Sequence, residues 1–250
     1  MQLTVIMPFY NRAKYIEKAL LSLLRQRATC ALDILVVNDG STDEGPNIVA
    51  ALSARYPQIR MVTTQNQGVT KARNVGLAHI QPDCEFVTFL DSDDISPEDR
   101  IASDLARFVD SPDIQLTYGR MTYVDEIDEA TDAPAATATQ VTVRGIHLSA
   151  AIFRSAFLRG IGTFDESFEQ AEDADLLFRA FETGGPYLLT DTICVYYRQH
   201  DSNMTRNVPG LRRSLMRALH RSVVRRRQDP LRSLPEDWFE MMPLTEWKAA

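Results

Sequence analysis

Cysteine is scarce in this chain of 250 residues. Cys30, Cys84 and Cys194 are too few and too widely spaced for a disulfide framework, and none stands in a CxxC or Cys/His pattern suited to structural zinc. Buried free thiols are the expectation. Long apolar runs are missing too, since none approaches the roughly 18 to 20 residues that cross a bilayer. The first residues, Met1 to Pro8, lack the basic flank of a secretory signal and are broken by proline. A cytoplasmic location is therefore expected. Positive charge is lacking over most of the length. Residues 1 to 205 carry 17 Lys/Arg against 29 Asp/Glu, a net of −12, which speaks against broad nucleic-acid binding and suits a site that gathers cations. Residues 206 to 232 reverse this, with nine Arg against Asp229 and a net of +8.

What is present is a series of short apolar runs, each ending in polar residues. Leu3 to Pro8 reads as a buried strand, followed by a turn at Phe9-Tyr10-Asn11 and a helix from Tyr15 to Gln26. Ile34 to Val37 is a second strand that runs into Asn38-Asp39-Gly40-Ser41-Thr42-Asp43. A helix from Pro46 to Arg55 and a strand at Ile59 to Thr63 follow. This β-α-β-α-β order predicts a parallel sheet with right-handed crossovers, with ligands gathered at the strand C-termini. The segment 66–78 opens as a turn and becomes a helix carrying Lys71 and Arg73 early. Either these cations and the free helix amides hold a phosphate, or the basic side chains are simply solvated.

Phe86 to Leu90 reads as a buried strand, and it ends in Asp91, Ser92, Asp93 and Asp94. Carboxylates one residue apart on an extended end suit a shared Mg²⁺ or Mn²⁺. The same residues equally suit an acidic turn before the helix expected at 97 to 109. Further on, a strand is expected at 114 to 118, a flexible connection at 125 to 140, a short helix at 147 to 157, a helix over 176 to 181 and a last strand at 193 to 197. Glu172, Asp173 and Asp175 open the helix over 176 to 181, where acidic residues are common for dipole reasons alone.

Taken together, Val5 to Asn11, Val36 to Asp43, Asn66 with Gly68, Ala72 to Gly76 and Phe89 to Asp94 resemble, in order, the motifs of family 2 glycosyltransferases. Gly162 to Asp165, Glu172-Asp173 and Tyr197 to His200 are similar to that family's later landmarks. The resemblance covers residues 3 to 205. It implies an α/β fold of GT-A (Rossmann-like) type, with a mostly parallel central sheet flanked by helices, and a catalytic domain over 1–205; the residues after it read by their own pattern as a C-terminal helical appendage, a basic amphipathic helix and tail over 206–250. It also implies inverting transfer of a sugar, hexosyl or N-acetylhexosaminyl, from a nucleotide diphosphate sugar, UDP above all, to the hydroxyl of a glycan, lipid-linked or peptide acceptor. Pro8, Tyr10 and Asn11 would lie against base and ribose, and Asp39 would accept a hydrogen bond from the base. Arg73 would face the pyrophosphate, and Ser92 would share the nucleotide side with Asp91. Asp91, Asp93 and His200 would hold Mn²⁺ or Mg²⁺, with Asp94 left to the following turn. Asp173 matches the position of the general base.

Two other readings stay open beside this one. A nucleotidyltransferase would carry a Gly-rich phosphate loop after the first strand, and none is there. A silent nucleotide-sugar-binding or scaffold protein would have no use for Asp173. In the basic tail, Leu211, Leu215, Leu219 and Val223 repeat every four residues, and Arg213, Arg217, Arg221 and Arg225 form a ladder roughly opposite. Such a helix either lies peripherally on anionic lipid at the inner face of the membrane, through residues 211–227, or packs on the body with its arginines solvated or paired. Beyond it, Trp238, Phe239, Met241, Met242 and Trp247 are expected to dock on the body or on a partner.

Overall fold

The computed structural model describes residues 1–26, 30–201 and 203–240. Its centre is one eight-stranded sheet in the order β3-β2-β1-β4-β7-β5-β6, with β8 also on β5. Strands β1 (Gln2–Phe9), β2 (Ala31–Asn38), β3 (Ile59–Thr63) and β4 (Phe86–Phe89) pair in parallel, so their C-termini share one edge. Helices α1 (Ile16–Leu24), α2 (Gly45–Arg55) and α3 (Val69–Ala78) make the crossovers. Beyond β4 the sheet becomes mixed. β7 (Ala151–Arg154) is antiparallel to both β4 and β5 (Leu116–Val124), β6 (Gln140–Val143) is antiparallel to β5, and β8 (Tyr187–Arg198) is parallel to it.

Side-chain alternation along the strands divides the core into two layers. Leu3, Val5 and Met7 of β1 and Ile34 and Val36 of β2 face α1, α2 and α4 (Arg100–Asp110). Ile6, Leu35 and Val37 face the opposite layer, built from α3, α5 (Ser155–Ile161), α6 (Glu172–Glu182) and α7 (Val208–Gln228). Helix α3 lies so close to β1 that a Cβ on Gly76 would come within 2.4 Å of Ile6 Cγ2. Helix α6 is buried nearly all round, because α7 and Trp238 cover the side that the sheet does not. Trp238 packs on Tyr118, Phe178 and Phe181.

One expectation gives way to the structure. Residues 147–157 are not one helix. A 3₁₀ turn at Leu148–Ala150 leads into β7, and α5 starts only at Ser155. Ala151, Ile152 and Phe153 are fully buried between β4 and β5, and a short run buried on both faces shows no strand alternation. Residues 125–140 form an irregular excursion closed by a bridge between Ile127 and Pro134, and the strand β6 begins at its end. Met241, Met242 and Trp247 lie outside the described residues. No helix of the described residues is long and apolar enough to cross a membrane.

Candidate active site

The parallel strand ends meet in a set of turns fixed by backbone amides. Asn11 follows β1 with φ +51°, in the left-handed region that asparagine tolerates. Its N–H donates to Ser41 Oγ at 3.0 Å and its Oδ1 accepts from Thr42 N at 2.8 Å, so the turns after β1 and β2 are tied together. Pro8 is buried beneath them and Tyr10 is exposed. Asp39, also buried, accepts from Gln67 N at 2.9 Å and Gly68 N at 2.8 Å, which pins the turn before α3. Gly40 has φ +71°, and a Cβ there would meet Asn66 N at 2.7 Å.

A buried guanidinium joins this edge to the other half of the molecule. Arg73 of α3 donates from Nη2 to Asp91 Oδ1 at 2.7 Å and from Nη1 to Glu172 Oε1 at the start of α6. Burial opposes its charge, but Asp91, Glu172 and Asp173 hold it firmly protonated. Burial likewise opposes ionisation of Asp91, and Arg73 with His147 overcomes it, holding Asp91 well below the usual carboxylate range. Glu172 is pushed up to about 7 by burial against the pull of Arg73. Asp173, in the first turn of α6, caps the amide of Ala174 at 2.7 Å, and burial raises it against the pull of Arg73 and His147.

On the far side of Asp91 stands His147, buried against Tyr197. Its Nδ1 accepts from Ser149 N at 3.2 Å, and its Nε2 faces Asp91 Oδ2 at 3.5 Å and Asp94 Oδ2 at 3.7 Å. Asp94 is buried. Its Oδ1 accepts from Arg198 N at 3.0 Å while Oδ2 has no hydrogen-bond partner. Burial, with Asp93 and Asp91 beside it, pushes Asp94 well above the usual range. Asp93 turns the other way, with Oδ2 2.9 Å from Arg12 Nε and 3.1 Å from His200 Nε2. The His200 ring stacks on Tyr15.

Asp91, Asp94 and His147 offer three ligand atoms within 4.8 Å of one another. This is a different trio from Asp91, Asp93 and His200, although Asp93 and His200 do touch. An oxygen-rich donor set with one imidazole and an unpartnered buried carboxylate oxygen suit a divalent ion. Ser92, between the two aspartates, is buried.

The family model of glycosyl transferase family 2 matches residues 4–161, from β1 through α5. The chain belongs to that family. Among curated relatives, an uncharacterized glycosyltransferase of Haemophilus influenzae is 32% identical over 124 residues, covering 49% of this chain and 48% of its own length. The minor teichoic acid biosynthesis protein GgaA of Bacillus subtilis is 29% identical over 126 residues, covering 49% of this chain and 28% of its own. The chain thus spans half or less of the length of these relatives. Among solved structures, residues 1–349 of TarS from S. aureus in complex with UDP-GlcNAc superpose with a TM-score of 0.69 at 23% identity, covering 90% of this chain and 66% of that one. The mannosyltransferase PcManGT from Pyrobaculum calidifontis, in complex with GDP-Man and Mn²⁺, superposes at 0.67 with 18% identity, covering 89% of this chain and 64% of that one. At these identities the likeness concerns the GT-A fold.

In this family 2 chain the edge of the sheet gathers Asn11, Asp39, Arg73, Asp91, Asp93, His200 and Asp173. It also brings in three groups that the motifs leave without a role: Glu172 as the second partner of Arg73, His147 between two carboxylates, and Asp94 as a buried acid rather than a turn residue. His147 is one of four histidines in the chain, and that rarity is the one signal that sets it apart.

Proposed function

We propose that this family 2 glycosyltransferase transfers a sugar from a UDP-sugar to an acceptor hydroxyl, inverting the anomeric centre, with a divalent ion at the turn 91–94. The observation that carries the reading is the Arg73 bridge. One guanidinium binds Asp91 at the end of β4 and Glu172 at the start of α6, which sets Asp173 beside the strand edge where the donor would lie. The UDP-GlcNAc complex of TarS supports a uracil nucleotide, and the Mn²⁺ complex of PcManGT supports the ion.

Pro8, Tyr10 and Asn11 would line the base and ribose, Asp39 would accept from the base with its remaining lone pairs, and Ser92 would lie on the same side. Asp91 would hold the ion with Asp94 and His147, whose ligand atoms converge with its own, while Asp93 stays with Arg12 and His200. When bound, the ion would stabilise the charge that develops on the leaving diphosphate. Arg73 would steady Asp91 and face that same charge. Asp173 would take the proton of the attacking hydroxyl, and its raised pKa brings it nearer the working pH of a general base.

Release of nucleotide from a panel of UDP- and GDP-sugars tests this reading. The expected result is release from a UDP-sugar with Mn²⁺ or Mg²⁺ and its loss on adding a chelator. Release from no donor would sink the reading, and release that survives chelation would remove the metal from it.

A further inference from the structure

The basic helix α7 does not present its arginine ladder to one side. Residues four apart advance by about 400°, so a ladder with that spacing turns by about 40° at each step. Over three steps it crosses from one face of the helix to another. Arg217 accordingly reaches the carbonyl and hydroxyl of Ser167, Arg221 pairs with Asp165, and Arg225 is clamped between Glu182 and Asp175. The leucine stripe turns in the same sense. Leu211, Leu215 and Leu219 pack on the core, whereas Ala218 and Ser222 mark the centre of the buried face.

A second set of residues is left outside. Arg212, Arg213 and Arg227 are exposed and make no ion pair or hydrogen bond among the described residues. They share the outer face with Met216, His220 and Val224, spaced by three and four. Met216 is 65% exposed and Val224 37%. Eight large apolar side chains are exposed among the described residues, and five of them, Met204, Val208, Met216, Val224 and Leu231, fall between 204 and 231. The same short stretch therefore concentrates both the positive charge and the exposed apolar groups of an otherwise acidic molecule.

This surface adjoins the site. The segment 203–206 sits between His200, whose carbonyl accepts from Arg206 Nε, and Gln170, whose Nε2 donates to the Met204 carbonyl just before α6. We propose that the outer face of α7, with Met204 and Val208 at its start, docks on an anionic lipid surface. Arginines without partners supply the attraction, apolar side chains insert at the headgroup boundary, and the acidic body is repelled, so only this face meets the bilayer. Docking in this way turns the Gln170 and Asp173 side of the site toward acceptors carried in that surface. This last step rests on the transferase reading, whereas the docking does not.

Sedimentation of the full chain with vesicles tests the docking without donor or acceptor. Vesicles of phosphatidylcholine mixed with phosphatidylglycerol should carry the protein down, phosphatidylcholine alone should not, and high salt should release it. Replacing both outer arginines, R212E with R213E, should weaken binding by about tenfold or more, and Met216→Ser should weaken it by less. Both variants should keep the wild-type melting temperature, because these side chains touch nothing that holds the fold. Equal binding to both vesicle types, no binding to either, or undiminished binding by the double variant would overturn the proposal. So would retention by an acidic polysaccharide in the absence of vesicle binding. Nucleotide release in solution is read separately, so failure here leaves the transferase reading standing.

Discussion

At the ends of β1 and β2, polar side chains are held by backbone amides. Asp39 is gripped by the amides of Gln67 and Gly68, and the Asn11 side chain by that of Thr42. From the end of β4 onward, most of the charged side chains are held by one another. Glu172 leans on Arg73, His200 on Asp93, and Glu182 on Arg225. Backbone-held groups keep their geometry when a neighbouring charge is removed. Groups held by ion pairs depend on every partner staying charged, so the nucleotide side should be preformed and the acceptor side conditional.

Arg73→Met should break this contrast most severely. It leaves Glu172 buried without its cation and Asp91 with His147 alone, and breaking such a buried pair typically costs about 3–5 kcal/mol. Urea unfolding should show a large loss of stability, together with a loss of nucleotide release. A variant of unchanged stability would mean that the bridge does not join the two halves.

Gly40→Ala probes the backbone-held side. The left-handed φ and the 2.7 Å approach to Asn66 N should together cost about 1–3 kcal/mol. The loss should fall on UDP affinity, read by calorimetry, rather than on the ion pairs of α6.

Asp104→Asn should have the smallest effect and acts outside the site. Burial pushes Asp104 up to about 6 despite Arg100 at 3.4 Å. A raised folded pKa means that the native state holds this proton more tightly than the unfolded chain. The resulting stability is complete below the unfolded value of about 4 and is lost as pH rises through about 6. Wild type should therefore lose stability relative to Asp104→Asn between those values, as chemical denaturation at several pH values would show. Parallel curves would contradict the assignment.

The backbone-held half was the more legible in sequence, because its information is local. Apolar runs ending in Pro8, Asn38-Asp39 and Asp91 mark both the strands and the edge they share. The other half depends on distant partners. Nothing near Arg73 points to Glu172, 99 residues on, and nothing near His147 points to Asp91 and Asp94. Strand β7 is a four-residue run that periodicity does not separate from a helix. In α7 the ladder of arginines was visible, but the turn that carries it from solvent to the acidic side of α6 follows only from where α6 packs.

The central claim is that donor binding belongs to one half and proton removal to the other. Asp173→Asn tests it when UDP affinity and turnover are measured on the same preparation. UDP affinity should be unchanged while turnover falls by about 10²- to 10⁴-fold. Near-normal turnover, or UDP affinity lost in step with it, would contradict the account.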